Sequence, residues 1–147
     1  MSLTAERVRA DEADILLAMA RDFHLEDGHA LTEAGEQAIR LVAAGEPLAP
    51  TFFLRQDSEV IGYFVLTLGY SPENGGTDGF IDDIFLRPAW RGQGLGKAAL
   101  QLAITEARQA GIGVLLLEVE AHNNRAYRLY EQAGFTDTKR RLLRMVL

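Results

Sequence analysis

Apolar positions along this chain change their spacing several times, and each change marks an element. Ala13, Leu16, Leu17 and Ala20 share one helical face, which predicts a helix starting just after Asp11 with that aspartate as its cap. A short strand from Glu6 to Arg9 is expected before it, and a looser stretch from Asp22 to Ala30 after it. A second helix is predicted from Thr32 to Ala44, with Thr32 as N-cap and Gly45 past its end. Glu46 to Pro50 reads as a short connector. Thr51 to Arg55 and Glu59 to Gly69 then read as strands around the Gln56-Asp57-Ser58 turn. Ser71 to Gly79 is dense in turn residues and is expected to top an antiparallel hairpin whose second arm is Phe80 to Leu86. Leu100, Ala103, Ile104 and Ala107 set a helix over Lys97 to Ala110, closed by Gly111. Val114 to Glu120 is an apolar strand, and Ala126, Leu129, Tyr130 and Ala133 predict a last helix stopped by Gly134. Thr136 to Thr138 and Arg141 to Leu147 are expected to finish as strands. The predicted class is α/β (α+β), a mixed sheet with helices over its faces.

One junction carries chemistry. Arg91-Gly92-Gln93-Gly94-Leu95-Gly96 lies between the Phe80 to Leu86 strand and the Lys97 helix. A glycine-rich turn there presents bare N–H groups and the positive end of a helix dipole, which together bind anions. The P-loop pattern fails, because Arg91 stands at its first glycine and Ala98 follows Lys97 where a hydroxyl is needed. The dinucleotide fingerprint also fails, because glycines at 92, 94 and 96 are one residue too tightly spaced.

R-x-x-G-x-G does fit, as Arg91, Gly94 and Gly96. Pro88 follows the strand ending Ile84-Phe85-Leu86, and a second apolar strand follows the helix. Next comes N-x-x-A-x-x-x-Y-x-x-x-G-F, as Asn123, Ala126, Tyr130, Gly134 and Phe135. In this order, over residues 80 to 135, the chain resembles the GCN5-related N-acetyltransferase (GNAT) superfamily, somewhat like its diamine acetyltransferase branch. The resemblance implies the acyl-CoA N-acyltransferase fold: a mostly antiparallel sheet flanked by about four helices and splayed between its fourth and fifth strands. It also implies acetyl-CoA as co-substrate. The pyrophosphate would rest on amides from Gly92 to Lys97, including those of Gln93, Gly94, Leu95 and Gly96, with Arg91 and Lys97 adding charge. The pantetheine arm would bond the backbone of Ile84, Phe85 and Leu86, with Asn123 either capping its helix or reaching the arm.

Composition narrows the rest. The 147 residues suit one domain with a real core, and the 48% hydrophobic content suits a globular one. With no cysteine there is neither a disulfide nor a thiolate nucleophile, so transfer through a Cys-linked acetyl-enzyme is excluded. Three scattered histidines show no ligand spacing, and no metal is expected. A net charge of −6 argues against nucleic acid and mildly favours a cationic substrate. No signal peptide or run of about 18 apolar residues is present, so no membrane partner and a cytoplasmic location are expected.

Acetyl transfer from a thioester to an amine poses two proton problems. An alkylammonium, with a pKa near ~10, must lose a proton, and a thiolate, near ~8.5, leaves more easily beside a donor. The resemblance makes Tyr130 that donor. Asp82 and Asp83 are the base candidates; neighbouring strand residues face opposite ways, so one of the two faces the acceptor, and Asp82 is favoured, since the resemblance to diamine acetyltransferases implies that acids in this part of the strand contact the amine. The acceptor site implied by the resemblance draws on the first two helices and the β-hairpin loop: Phe23, His24, Glu26, Tyr70 and Glu73. Glu26, Glu73, Asp82 and Asp83 would form an acidic pocket for a small cationic amine. A protein or peptide acceptor, a catalytically silent acyl-CoA-binding module, or a domain binding another phosphate are the alternatives. Homodimers are common in the superfamily.

Overall fold

The computed structural model describes residues 2–147. Its elements run β1 (Leu3–Arg7), α1 (Ala13–Glu26), α2 (Glu33–Ala43), β2 (Thr51–Gln56), β3 (Glu59–Ser71), β4 (Gly76–Leu86), α3 (Leu95–Gln109), β5 (Val114–Leu117) and α4 (Asn124–Ala133), with single 3₁₀ turns at Ala10–Glu12 and Pro88–Trp90. The strands form one sheet in the order β1-β2-β3-β4-β5. The first three pairings are antiparallel and β4–β5 is parallel.

β2 and β3 carry continuous apolar runs, Phe52 to Leu54 and Tyr63 to Leu66, because both faces of the sheet are covered there. Phe53, Tyr63, Val65 and Phe85 pack against α1 and α2, with Leu16, Leu17, Met19 and Ile39. Their neighbours Phe52, Leu54, Phe64 and Leu66 point the other way, onto Ala99, Leu100, Ala103 and Ala107 of α3. The strand period of two therefore divides one apolar run between two cores.

Several boundaries depart from the sequence expectation, each for a local reason. Asp11 lies inside a 3₁₀ turn and does not cap α1; Glu12 closes that turn by accepting the Arg9 N–H at 3.0 Å. Asp22 to Glu26 is helix and not a looser stretch, because Phe23 packs on Tyr63 and Phe85 with ring centroids 6.4 and 5.7 Å away. Thr32 does cap α2, accepting the Gly35 N–H at 3.0 Å. The β3–β4 hairpin is longer than expected, with β4 starting at Gly76. β5 stops at Leu117, short of Glu120, where β4 turns away from it. Residues 136–147 form no strand: β5 offers its free edge across an open cleft, and no described residue pairs with them. Among the described residues no helix is long and apolar enough to cross a membrane, and no group of three or more His, Cys, Asp or Glu could hold a metal.

Gly62 sets how closely β3 approaches β4. It pairs with Leu86, and a Cβ at this position would run into the Phe85 carbonyl. Gly62→Ala must push β4 outward. It is expected to cost about 1–3 kcal/mol and to lower Tm by about 3–10 °C, measured by thermal unfolding of the two proteins side by side.

Candidate active site where β4 parts from β5

Asp82 is an extra residue in the β3–β4 ladder. Val65 pairs with Asp83 and Leu66 with Ile81, so Asp82 bulges out between them. A bulge bends its strand and sharpens the local twist. β4 leaves β5 at this point: their last paired residues are Ile81 and Leu117. From Asp82 to Leu86, the β4 edge turned away from β3 carries N–H and C=O groups without a strand partner. Partly wet backbone groups of this kind are ready to bond an extended ligand.

The bulge also separates the two aspartates. Asp83 turns into the α1 side and is 5% exposed. Its Oδ2 accepts the Tyr63 O–H at 2.8 Å and the His24 Nε2–H at 3.0 Å. A buried carboxylate needs such donors. Burial, followed by the charge of Asp83, pushes the Tyr63 phenol far above its ordinary range, so it remains a donor. His24 is held above its usual 6.5, first by its hydrogen bond to Asp83; burial opposes this, and the charges of Asp83, Asp27 and Asp82 add to it. With Nε2–H donating to Asp83, Nδ1 keeps its lone pair free. Asp82 lies on the open side. Its carboxyl is nonetheless partly desolvated, and this, followed by the charge of Asp83, raises its pKa from the ordinary aspartate value; His24 opposes and Glu118 adds.

Next to this cluster, the 3₁₀ turn at Pro88 leads into the glycine loop. Gly92 and Gly94 have φ of 76° and 78°, left-handed values that a residue with a Cβ rarely adopts. Gly94 is the N-cap of α3 and offers no side-chain cap. The first amides of α3, on Leu95, Gly96 and Lys97, therefore lack the side-chain acceptor that usually satisfies them. Gly96 differs from the other two: it is helical, and a Cβ there would meet Leu129 at an ordinary 3.7 Å. The fold does not require glycine at 96. Lys97 is exposed and makes no ion pair among the described residues.

Arg91 is engaged elsewhere. Its guanidinium grips Glu26 in a two-pronged pair at 2.7 and 2.9 Å, and its Nε–H donates to the Leu86 carbonyl at 2.8 Å. It also stacks 5.3 Å over the Phe85 ring. Arg91 thus ties the end of α1 to the end of β4 instead of pointing into the loop.

Across the gap, Asn123 caps α4 by accepting the Ala126 N–H at 3.1 Å. Tyr130 is half-buried beside Phe135, with ring centroids 6.1 Å apart. Burial, then the Asp27 carboxylate, raises its phenol above the ordinary value. Asp27 also acts on His24 and Tyr63, so this one carboxylate relates Tyr130 to the Asp83 cluster.

The acidic pocket expected from sequence does not assemble as drawn. Glu26 is neutralised by Arg91, and Glu73 by Arg140 at 2.9 Å. Tyr70 and Glu73 sit at the opposite end of β4, about 20 Å from Asp83 by the rise of a strand, and Tyr70 is 79% exposed. Phe23 and His24 do reach the site. The charges of Asp27 and Glu118 act on His24 and Asp82 respectively. Spacing could not reveal these partnerships, because His24 and Asp83 are 59 positions apart and Tyr63 and Asp83 are 20 apart.

A profile of the acetyltransferase (GNAT) family matches residues 14–135. YycN, an uncharacterized N-acetyltransferase of Bacillus subtilis (strain 168), is 39% identical over 82 residues, 56% of this chain and 51% of that protein. Thialysine N-epsilon-acetyltransferase of Bos taurus is 33% identical over 97 residues, 66% of this chain and 52% of that protein. The chain spans about half the length of the curated relatives it matches. Among solved structures, integron cassette protein HFX_CASS3 from the mobile metagenome of Cole Harbour Salt Marsh is 35% identical with a TM-score of 0.82, covering 98% of this chain and 90% of that one. A predicted acetyltransferase of Clostridium acetobutylicum, crystallised with acetyl-CoA, shares the fold at a TM-score of 0.78 and 15% identity, over 97% and 96% of the two chains. With its parted strands, its uncapped glycine turn and a family match running from α1 to the end of α4, the chain belongs to the acetyltransferase (GNAT) family.

Proposed function

We propose that this chain transfers acetyl from acetyl-CoA directly to the primary amine of a small cationic molecule. One observation carries the reading: an unpaired strand edge, Asp82 to Leu86, runs between an uncapped helix N-terminus and a cluster of acid–base groups. This is the outline of a phosphate-ended, extended thioester beside a proton acceptor. Family membership supports the same reading, as do the names of the relatives.

The residues divide the work as follows. Amides of Leu95, Gly96 and Lys97, with the α3 dipole and the Lys97 ammonium, hold the diphosphate. The open β4 edge at Ile84 to Leu86 binds the pantetheine arm, and an amide of that edge polarises the thioester carbonyl. Asp82, Asp27 and Glu118 give the acceptor pocket a negative field that draws an ammonium ion. His24 Nδ1 removes the ammonium proton, while Asp83, itself fixed by Tyr63, holds the imidazole in position. This assigns the base to His24 and leaves Asp82 to attract the substrate. The freed amine attacks the acetyl carbon, the C–S bond breaks, the Tyr130 O–H donates to the departing sulfur so that CoA leaves as the thiol, and the second proton of the attacking nitrogen passes through solvent to the Tyr130 phenolate, leaving a neutral acetamide and a neutral tyrosine.

A thiol-release assay with acetyl-CoA and an amine panel tests the activity. Diamines, aminoglycosides, amino acids and peptide N-termini belong in the panel, and cationic small amines are expected to lead. No release above hydrolysis with any amine would favour a silent CoA-binding module.

Three variants test the assignments. Tyr130→Phe is expected to lower kcat at least about tenfold with CoA binding kept; equal kcat would remove the donor role. Because His24 must be neutral to accept a proton, kcat/KM should rise with pH through a value above 6.5. Asp83→Asn removes the first cause of that raised value, so the acidic limb should move to lower pH, and His24→Gln should abolish the limb with at least about a hundredfold loss. A limb that stays put in Asp83→Asn would contradict the pairing. The same pair stabilises the fold below the unfolded histidine pKa of about 6.5, and that contribution fades as pH rises through the raised folded value. Gly96→Ala should leave Tm unchanged or slightly higher yet weaken CoA binding at least about tenfold by calorimetry; unchanged affinity would show that the amides there do not meet the phosphate.

A further inference from the structure

Arg91 stands where a phosphate-binding motif places its charge, yet its N–H groups are committed to other partners. Nη1 and Nη2 donate to the two Glu26 carboxylate oxygens at 2.9 and 2.7 Å, and Nε donates to the Leu86 carbonyl at 2.8 Å. The guanidinium also lies 5.3 Å over the Phe85 ring. To meet an anion at the start of α3, it would have to leave a two-pronged, charge-assisted pair, the strong form of such a bond. The loop has other means: among the described residues Lys97 makes no ion pair, and the first amides of α3 have no side-chain cap.

A surface pair usually contributes little to stability, so the meaning of this one lies in what it holds. It holds the end of α1. The last turn of a helix has unpaired carbonyls and frays readily. Here it is also poorly covered: Leu25 is 67% exposed, and Asp27 to Ala30 after it are exposed as well. Glu26 is an acid at a helix C-terminus, where the dipole disfavours negative charge. Without a cation it would loosen the turn it belongs to.

His24 sits in that same turn, with Nε2 at 3.0 Å from Asp83 of β4. Phe23 beside it rests on Phe85, the ring that Arg91 covers. One guanidinium therefore touches β4 at Leu86 and Phe85 and α1 at Glu26, across the seam that the His24–Asp83 bond also crosses.

We infer that Arg91 is a positioning residue for the acceptor side and not a ligand of the diphosphate: through Glu26 it holds the last turn of α1, and with it His24, against β4. The inference rests on the reading of His24 as the base and of the α3 amides as the phosphate site. It turns the motif arginine from a cofactor contact into a tie on the proton acceptor.

The test follows the His24 ring signal by NMR through a pH titration of wild type, Arg91→Met, Glu26→Ala and the double variant, with His24→Gln to assign the signal. Asp83 and Asp82 of β4 and Asp27 after α1 act on the imidazole, Tyr63 of β3 is bonded to Asp83, and all four stay in place. Glu26 is held below the ordinary glutamate value, first by its hydrogen bonds to Arg91, so it stays ionised throughout. Loosening α1 weakens the His24–Asp83 bond in either single variant. Each is expected to titrate lower, with a proton dissociation constant at least about threefold larger, and the double variant no lower than either single one. The bare charges would act in opposite directions, because Arg91→Met leaves a lone carboxylate and Glu26→Ala a lone guanidinium. Arg91→Lys, which keeps the charge but not the fork, is expected to titrate like Arg91→Met.

Calorimetry with coenzyme A supplies the second readout. Affinity is expected to stay within about threefold of wild type in Arg91→Met, whereas removing a phosphate-bound arginine would weaken it at least about tenfold. Circular dichroism confirms that each variant is folded. His24 constants that move in opposite directions, or that do not move, would overturn the inference, and so would a tenfold loss of coenzyme A affinity in Arg91→Met. The titration needs neither coenzyme nor acceptor, so it judges the tie even where no amine is acetylated.

Discussion

Everything at this site depends on the point where β4 stops pairing with β5. Two adjacent parallel strands normally continue to bond for as long as both last, because unpaired backbone groups are costly. Here the pairing ends at Ile81 and Leu117, and the bulge at Asp82 turns β4 aside at that same point. A single extra residue therefore does three things. It opens a backbone edge for an extended ligand, it moves Asp83 to the α1 side beneath His24, and it leaves Asp82 facing the gap. Gly62, on the other side of β4, allows β3 to stay in close contact with the strand as it bends.

Charge is distributed with comparable economy. The acids that lie near cations are neutralised and act as structural ties: Glu26 with Arg91 joins α1 to β4, and Glu73 with Arg140 fastens the last segment to the long hairpin. Among the described residues, Asp27, Asp82, Asp83 and Glu118 have no arginine or lysine partner, and their charges act on His24, on Asp82 itself or on Tyr130. The negative field of the site thus comes from acids left unpaired by cations, while the overall charge of −6 is only loosely related to it. On the phosphate side the polarity reverses, with backbone amides, a helix dipole and Lys97 next to one another.

Sequence disclosed most of the frame because frame and pattern have the same cause. The alternation Phe52-Phe53-Leu54 and the helical spacing of Leu100, Ala103 and Ala107 are the core itself, read along the chain. The glycine loop was legible because φ near 76° and an empty cap both call for a bare residue. Pairings between distant residues were not legible. Nothing in the run around Asp83 indicates that Tyr63 and His24 converge on it, and nothing near Arg91 shows that Glu26 has already claimed it. The expected strand from Arg141 to Leu147 is rich in apolar residues, yet a strand is a property of a pair, and no described residue pairs with it.

The most direct test is a titration of coenzyme A into isotope-labelled protein, followed by amide NMR. The account predicts saturable shifts at Leu95, Gly96 and Lys97 together with Ile84, Phe85 and Leu86, and none at the distant hairpin from Tyr70 to Gly76. Shifts that miss the start of α3, or that reach it while the β4 edge stays silent, would contradict the idea that the parted strand was opened for this ligand.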